Sequence, residues 1–388
     1  MINLRKILTI VFVVLMVVVN VQADDMDYLI DEQLNQLDLE ELQKLTDNIV
    51  NGTEGLVSDI NIKDFVKSLY TDPGLFSFQE ILDKLWMVLW KELLSNVDLL
   101  GKIIILSVLC ALLQNLHEGF DNDTIGKLAY SACYVIIIIL AIGSFAVVSK
   151  LCIDTIDKMV NFMQALLPTL ITLLLTVGGI TSSALFQPIV YTSLTFIATI
   201  IKVTVIPMVM FSAVLSMVNN ISDKVKISKL ASLVRSVAVG ILGIMLTIFT
   251  GIISIQGLAS SSLDGVAAKT AKFAVDSFVP IIGDFLSEAF DTVISCSLII
   301  KNGISIIGLL ILLLICSFPL IKIFSIFAIY RIAAALIQPI IDDELVQCMN
   351  DMSTSIFIMF CCVLSVGILF FISITIIMGV GNITVMMR

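Results

Sequence analysis

The sequence has few of the side chains on which enzymes and nucleic-acid-binding proteins depend. Of its 388 residues, 14% are charged and one is histidine, whereas 59% are hydrophobic and the mean hydropathy is +1.08. Soluble domains carry roughly 25% charged residues, so a soluble globular enzyme is close to excluded. The lone His117 cannot build a multi-histidine metal site. There is no P-loop, H-E-x-x-H or G-x-S-x-G motif, and we expect no catalytic, cofactor or metal site.

Positive charge is also scarce. The formal net charge is -10, and residues 24–100 hold 17 Asp plus Glu against 5 Lys. Nucleic-acid binding requires a basic face that releases counterions, so we expect no nucleic-acid partner.

The eight cysteines form no C-x-x-C pair. Their most economical interpretation is as small apolar residues of membrane helices rather than disulfides or metal ligands.

The first 23 residues have the pattern of a secretory signal. Arg5 and Lys6 precede an apolar stretch, and small residues end it at Ala23. We predict a signal peptide over residues 1–23, with an uncleaved anchor as the alternative, and an acidic extracytoplasmic region over residues 24–98.

The acidic region is predicted to be helical. Asp38 with Glu41 has capping-box spacing before an apolar stripe that stops at Asn51, a second segment covers residues 62–70, and a third opens at Ser77. The third segment carries both tryptophans, Trp86 and Trp90. Its apolar stripe is either a packed helix face or an anchor in the membrane interface.

Long apolar runs occupy the rest of the chain and predict an all-α, polytopic membrane protein. The runs cover residues 99–116, 128–149, 160–180, 184–218, 236–256, 303–321, 323–341 and 353–380. The 35-residue run contains Lys202 and Pro207 and is expected to be broken, which gives seven to nine spans. We divide this part into two transmembrane groups, 99–256 and 302–388, around residues 257–301.

Charge between the runs suggests an orientation. The segment from Lys224 to Arg235 is the most basic and is predicted to be cytoplasmic, as is Arg388. The segment from Asp342 to Asp351 is the most acidic and is predicted to be external.

Two proline pairs share a spacing of 20 residues. Pro168 and Pro188 form the first pair and Pro319 and Pro339 the second, and the surroundings of Pro188 resemble those of Pro339. This offset of 151 residues could mark two related halves with broken helices, as in many transporters.

Residues 257–301 carry the most unusual chemistry. Two charged sets have helical spacing, so each falls on one helix face: Lys269, Lys272 and Asp276, and then Asp284, Glu288 and Asp291. An acidic stripe opposite apolar residues is typical of an interfacial amphipathic helix. The alternative is a face that lines an aqueous path or binds another subunit, and these six residues are our candidate path or partner-binding site.

Several strings here resemble the stage III sporulation protein AE family of endospore-forming bacteria. They are GIISIQG (251–257), DGVAAKTAKF (264–273), FVPIIGDFLSEAFDTVISCS (278–297), IKNGIS (300–305) and GNITVMMR (381–388). The resemblance extends over nearly the whole chain. It implies a subunit of the multi-subunit channel, or feeding tube, that joins mother cell and forespore and supports late forespore gene expression.

By the same resemblance, the protein would lie in the mother-cell membrane facing the forespore. Its partners would be other stage III sporulation membrane proteins of the same operon, including a secretion-type ATPase and ring-forming subunits, together with the lipid bilayer. A self-contained secondary transporter is the alternative, favoured by the proline pairs and by Lys202, Arg235 and Arg331 in or near spans.

Overall fold

Helices make up every regular element of the part of the chain that the computed structural model describes. The described residues are 30, 32–35, 37, 39–51, 61–71, 78–119, 123–219, 227–278, 283–341 and 343–386. Within them, the side chains of 51, 69–71, 78–82, 114–130, 187, 257–291, 381 and 383–386 lie outside the description. The all-α prediction is confirmed for these residues. The predicted signal peptide lies outside them.

Three short helices form where the capping signals predict them. They are α1 (Glu40–Asn51), α2 (Ile62–Thr71) and α3 (Phe78–Ser95). Asn61 caps α2, because its side-chain oxygen accepts from the backbone N–H of Lys63 at 3.0 Å. The Oε1 of Gln43 accepts from the N–H of Ile62 at 3.0 Å, which ties α1 to the start of α2.

Much longer helices follow. They are α4 (Val97–Gly119), α5 (Asp123–Thr176), α6 (Ile180–Ile200), a π-helical turn (Ile201–Val205), α7 (Ile206–Asn219), α8 (Ser228–Phe278), α9 (Gly283–Ile337) and α10 (Asp343–Met386). At the turn after α5, Gly178 has a φ of 90°, a conformation that only glycine adopts without strain. The side chain of Asn219 ends α7 and accepts at 2.9 Å from the N–H groups of Ile227 and Ser228, which begins α8.

The count of seven to nine spans is wrong for the described residues. Six helical stretches there are long and apolar enough to cross a membrane: Asp83–Leu113, Ser131–Thr176, Ile180–Asn219, Ser228–Gln256, Thr292–Ile337 and Asp343–Val380. The polar residues between the predicted apolar runs are themselves helical, so two neighbouring runs belong to one continuous helix. Charged residues between Lys150 and Lys158 lie within α5, and Lys322 lies within α9. The stretch Asp83–Leu113 also runs across residue 98, where we placed the end of the acidic extracytoplasmic region.

The long helices pack as an antiparallel bundle around the α9–α10 hairpin. α10 contacts α5, α6, α7 and α8 as well as α9, and its buried side chains include Met349, Met359 and Phe370. α4 packs on α5 and α9, whereas α2 and α3 pack on α9 from outside. The N-terminal helices therefore pack on the surface of the bundle.

The predicted orientation of the charged segments is also wrong. Arg235 Nη1 lies 3.3 Å from Asp351 Oδ1, so the starts of α8 and α10, which are the described parts of the basic and acidic segments, occupy the same end of the bundle and cannot lie on opposite faces of a bilayer. Two helices, α8 and α9, separate them in the chain, and two crossings return the chain to the same side. α10 then runs away from that end for 44 residues. Its far end, which precedes Arg388 in the chain, therefore lies opposite the basic segment, although we predicted both to be cytoplasmic.

The paired-halves hypothesis fails on the positions of the prolines. Pro188 lies inside α6, whereas Pro339 lies in the turn after α9. Equivalent positions in two repeats would occupy equivalent places in the fold.

Close packing at Gly308 gives a test of the bundle. A Cβ there would be 2.6 Å from Leu166 Cδ2 of α5, whereas at Gly243 of α8 a Cβ meets nothing within 4 Å. Because overpacking costs about 1–3 kcal/mol, we expect Gly308→Leu to lower the melting temperature of the detergent-purified protein by several degrees. Gly243→Leu, the matched control, should leave it unchanged or raise it. Equal effects of the two would contradict this packing.

Candidate functional site

The candidate site consists of the charged side chains that lie within the long helices. Lys202 Nζ donates to Asp157 Oδ1 at 2.6 Å and joins the π-helical turn to α5. The two side chains are 31% and 45% exposed, so the pair lies on the bundle's flank rather than in its core. Ionisable groups inside apolar helices are costly unless paired, and they commonly mark functional positions.

Pro207 explains why the turn beside Lys202 is widened. Proline has no N–H, so it cannot donate to the carbonyl of Val203 four residues earlier. The helix instead makes a longer turn, in which the N–H of Ile206 donates to the carbonyl of Ile201. Such π-helical turns are frequent at functional sites. The predicted break in this run is therefore a widened turn, and the helix continues through it.

A second polar cluster joins α7, α8 and α10. Arg235 contacts Asp351 at 3.3 Å and Ser216 Oγ at 3.3 Å, and both charged side chains are largely buried. Ser212 of α7 donates to the carbonyl of Ala231 at 2.8 Å one turn away. This cluster fixes the three helices side by side near the end that carries the basic segment.

Two further basic residues also have partners. Arg331 Nη1 donates to Asn350 Oδ1 at 2.9 Å, which links α9 to α10. Lys322 Nζ lies 3.8 Å from Glu92 Oε1 and links α9 to α3. The cations that favoured a transporter in the sequence therefore all make contacts that join neighbouring helices.

Lys301 is the most deeply buried of the described charges. Its side chain is 0% exposed, and Nζ donates to the carbonyl of Met378 in α10 at 2.8 Å. The buried Oδ1 atoms of Asn302 and Asn382, on the same two helices, have no hydrogen-bond partner. The sequence shows Lys301 inside an otherwise uncharged run, but nothing in the run indicates which helix buries it.

The six predicted site residues lie on helices, as expected. Lys269, Lys272 and Asp276 belong to α8, and Asp284, Glu288 and Asp291 belong to α9. The two sets follow one another in the chain, near the end of α8 and at the start of α9. Their side chains lie outside the described residues, so their role as a path or partner site stays a prediction.

The two tryptophans of the stripe are not packed against the bundle. Trp86 is 59% exposed and Trp90 is 53% exposed, and their rings meet edge to face with centroids 6.1 Å apart. The packed-face interpretation therefore does not hold for these two side chains, and the interfacial anchor stays a prediction.

The cysteines agree with the apolar interpretation. All eight are free thiols and all but Cys361 are buried. Among the residues that the structure describes, no group of three His, Cys, Asp or Glu side chains could hold a metal ion.

The fold and these ion pairs define a class, the multi-helix integral membrane proteins whose long apolar helices are joined by charged side chains. The family described as Stage III sporulation protein AE matches residues 60–381. The Stage III sporulation protein AE of Bacillus subtilis (strain 168) is 36% identical over 366 residues, which cover 94% of this chain and 92% of the relative. The chain belongs to the stage III sporulation protein AE family, as the sequence resemblance predicted. No solved structure matches it.

The Arg235–Asp351 contact yields a charge-swap prediction. Arg235→Gln leaves the largely buried Asp351 carboxylate without its cation, which should cost about 1.5–3 kcal/mol. We expect a lower melting temperature in detergent, partly restored in the double variant Arg235→Asp with Asp351→Arg.

The exposed pair of Asp98 and Lys102 provides the control. Its side chains are 77% and 57% exposed, so Asp98→Asn should change stability little. A melting temperature unaffected by Arg235→Gln would show that the pair contributes nothing to the bundle.

Proposed function

We propose that this protein is a membrane subunit of the multi-subunit channel, or feeding tube, between mother cell and forespore. It would act in the mother-cell membrane facing the forespore. Its partners would be stage III sporulation membrane proteins of the same operon, including a secretion-type ATPase and ring-forming subunits. The observation that carries the proposal is the match to a stage III sporulation protein over 94% of this chain, which supports a role in sporulation. We assign the subunit no catalytic activity.

The charged extensions of α8 and α9 support a role in assembly. α8 runs to Phe278, which is 22 residues, or about 33 Å of helix, past the apolar run 236–256 of the sequence. α9 begins at Gly283 and carries the acidic set before the apolar run that starts at residue 303 of the sequence. Gln33 Nε2 donates to the carbonyl of Val293 at 3.4 Å, so these extensions lie at the end that carries the N-terminal helices. A charged helical pair beyond the apolar spans is suited to binding other proteins.

Neutralising the acidic stripe tests this role. In the triple variant Asp284→Asn, Glu288→Gln and Asp291→Asn, polarity and helix propensity are nearly retained. If the carboxylates pair with a partner's cations, each loses a charged hydrogen bond of roughly 1.5–3 kcal/mol, and heat-resistant spores should fall sharply at a normal membrane level.

The matched control removes the same number of charges elsewhere. Asp98, Asp154 and Asp343 are exposed, so changing all three to Asn should leave spore counts near wild type. Wild-type spore counts for the stripe variant, at wild-type protein level by immunoblot, would eliminate the partner-binding role and leave an interfacial helix.

A secondary transporter is the alternative, but the structure removes one of its supports. Pro188 and Pro339 occupy unrelated places in the fold, so they mark no pair of broken helices. Reconstitution of the purified protein alone separates the two functions. Saturable solute flux without other subunits would favour the transporter, whereas stable co-purification with other sporulation membrane proteins and no flux would favour the channel subunit.

A further inference from the structure

One side of the bundle, formed by α6 and α8, has an uncharged outer surface. Residues 236–256 of α8 include no Asp, Glu, Lys or Arg and span about 30 Å, which matches the hydrocarbon core of a bilayer. The large side chains that α8 exposes there are aliphatic: Val237, Val239, Ile244, Ile248, Ile252 and Ile255. α6 packs on α8, carries no charge over residues 180–201, and exposes Ile189 and Phe196. We call this surface the apolar side.

The outer surface of α5 has the opposite character. Between positions 150 and 172 its exposed residues are all charged, polar or proline: Lys150, Asp154, Lys158, Asn161, Pro168 and Thr172. Residues that face inward over the same stretch are apolar, as at Met159 and Phe162. Exposed residues before Lys150, such as Ile139, are also apolar, so the polar surface of α5 begins at Lys150.

Helices α2, α3 and α4 extend this polar surface along α9. A Cβ at Gly303 of α9 would be 3.0 Å from Val66 Cγ1 of α2, and Glu92 Oε1 of α3 lies 3.8 Å from Lys322 Nζ of α9. α2 and α3 therefore follow α9 along its whole apolar run, residues 303–321, which is about 28 Å long. Exposed charges on α2, α3 and the start of α4 include Asp64, Lys67, Asp83, Lys84, Asp98 and Lys102.

The charges of α2 to α5 form one surface, which we call the polar side. α4 packs on both α5 and α9, and for the residues that the structure describes none of α1 to α4 packs on α6 or α8. Lys202 of α6 is bonded to Asp157 of α5 and marks the boundary between the two sides. The exposed charges that the structure describes on α6 to α10 are Lys322, which contacts α3, and four residues at the end that carries the basic segment: Lys229, Arg331, Asp343 and Glu344.

The two sides lie at the same depth in the bundle. α8 and α10 both run away from the contact between Arg235 and Asp351, so distance along either helix from that contact measures depth. Gly367, 16 residues after Asp351, packs on Cys316 of α9, because a Cβ there would be 3.0 Å from the cysteine Sγ. Ile252, 17 residues after Arg235, is level with both. A bilayer that covers Ile252 therefore also covers the depth at which α2 and α3 follow α9.

The exposed tryptophans mark an edge of the polar side. Trp86 and Trp90 are four residues apart on α3, and Lys84 and Lys91 lie roughly 130° around the same helix. Both pairs are exposed. Tryptophan is favoured where apolar and wet surroundings meet, because its ring is apolar and its N–H is polar.

Water is the surrounding that fits the polar side best. Charged side chains that face hydrocarbon are too costly to be stable, which excludes lipid. Lys, Asp and Glu are depleted in protein interfaces, which makes a covering subunit a poor fit. The polar side mixes both signs of charge, and its Asp98–Lys102 pair is largely exposed, as is typical of a solvated surface.

We propose that the polar side faces a water-filled path at the depth where the apolar side faces lipid. The inference rests on the proposed function, because a channel is the assembly in which one side of a membrane subunit is wet. Copies of this chain enclose the path by turning their polar sides towards one another, so that α2, α3 and α5 line it. The apolar sides of α6 and α8 then form the outer, lipid-facing wall.

Lys158 of α5 and Ile248 of α8 form a matched pair of positions for a test. Both are exposed. Ile248 is 13 residues, or about 20 Å, beyond the contact of Arg235. Cys152 of α5 donates to the carbonyl of Met359 at 3.8 Å, and Met359 lies eight residues beyond that contact in α10. Lys158, six residues beyond Cys152, is therefore about 21 Å beyond it.

A membrane-impermeant methanethiosulfonate tests the two positions in broken membranes of sporulating cells that express the full-length variants. The reagent attacks a thiolate, which forms in water but not in hydrocarbon. We expect Lys158→Cys to react at least about tenfold faster than Ile248→Cys. The unmodified chain, whose cysteines are mostly buried, gives the background rate, and denaturation in detergent should make both introduced cysteines react equally.

Two results would overturn the proposal. Reaction at neither position would show that protein or lipid covers the polar side, and equal or faster reaction at position 248 would show that the apolar side is in water. The second pair, Asp154→Cys and Ile244→Cys, repeats the comparison about 15 Å beyond the Arg235 contact if one variant fails to insert. Labelling does not depend on spore formation, whereas the flux and co-purification experiments test the channel role, so the two can fail separately.

Discussion

Charged side chains that pair between the apolar helices shape this bundle. Lys202 reaches Asp157, Arg235 reaches Asp351 and Lys322 reaches Glu92, and each contact joins helices that are distant in sequence. Because an unpaired charge in low-dielectric surroundings is costly, these contacts restrict how the helices can slide along one another. The register they set places the N-terminal helices at one end and the basic segment at the other.

The local elements could be predicted because their signals are local. Asp38 with Glu41, Asn51 and Ser77 placed the ends of α1 and α3 within two residues of where the structure has them. The span count could not be predicted in this way. The charged stretch from Lys150 to Lys158 has the composition of a loop, yet it is helical because its exposed side chains extend from one face of α5 while Cys152, Thr155 and Ile156 pack inward.

The candidate site was accessible from sequence only in part. The helical spacing of Lys269 to Asp276 and of Asp284 to Asp291 was visible, and both sets do lie on helices. The partners of Arg235 and Lys322 were not visible, since they lie 116 and 230 residues away in the chain. Orientation failed for the same reason, because charge composition alone does not show that two segments are in contact. Family membership connects this architecture to sporulation.

Labelling of introduced cysteines tests the central arrangement most directly. Single cysteines at Ser228, at Gln338 and at Glu40 are all at exposed positions, and the native cysteines are mostly buried. With a membrane-impermeant maleimide on intact cells, the account predicts labelling at position 40 and protection at both 228 and 338, with all three labelled after lysis. Labelling of 338 without 228 in intact cells would contradict it, since the two loops would then lie on opposite sides of the membrane.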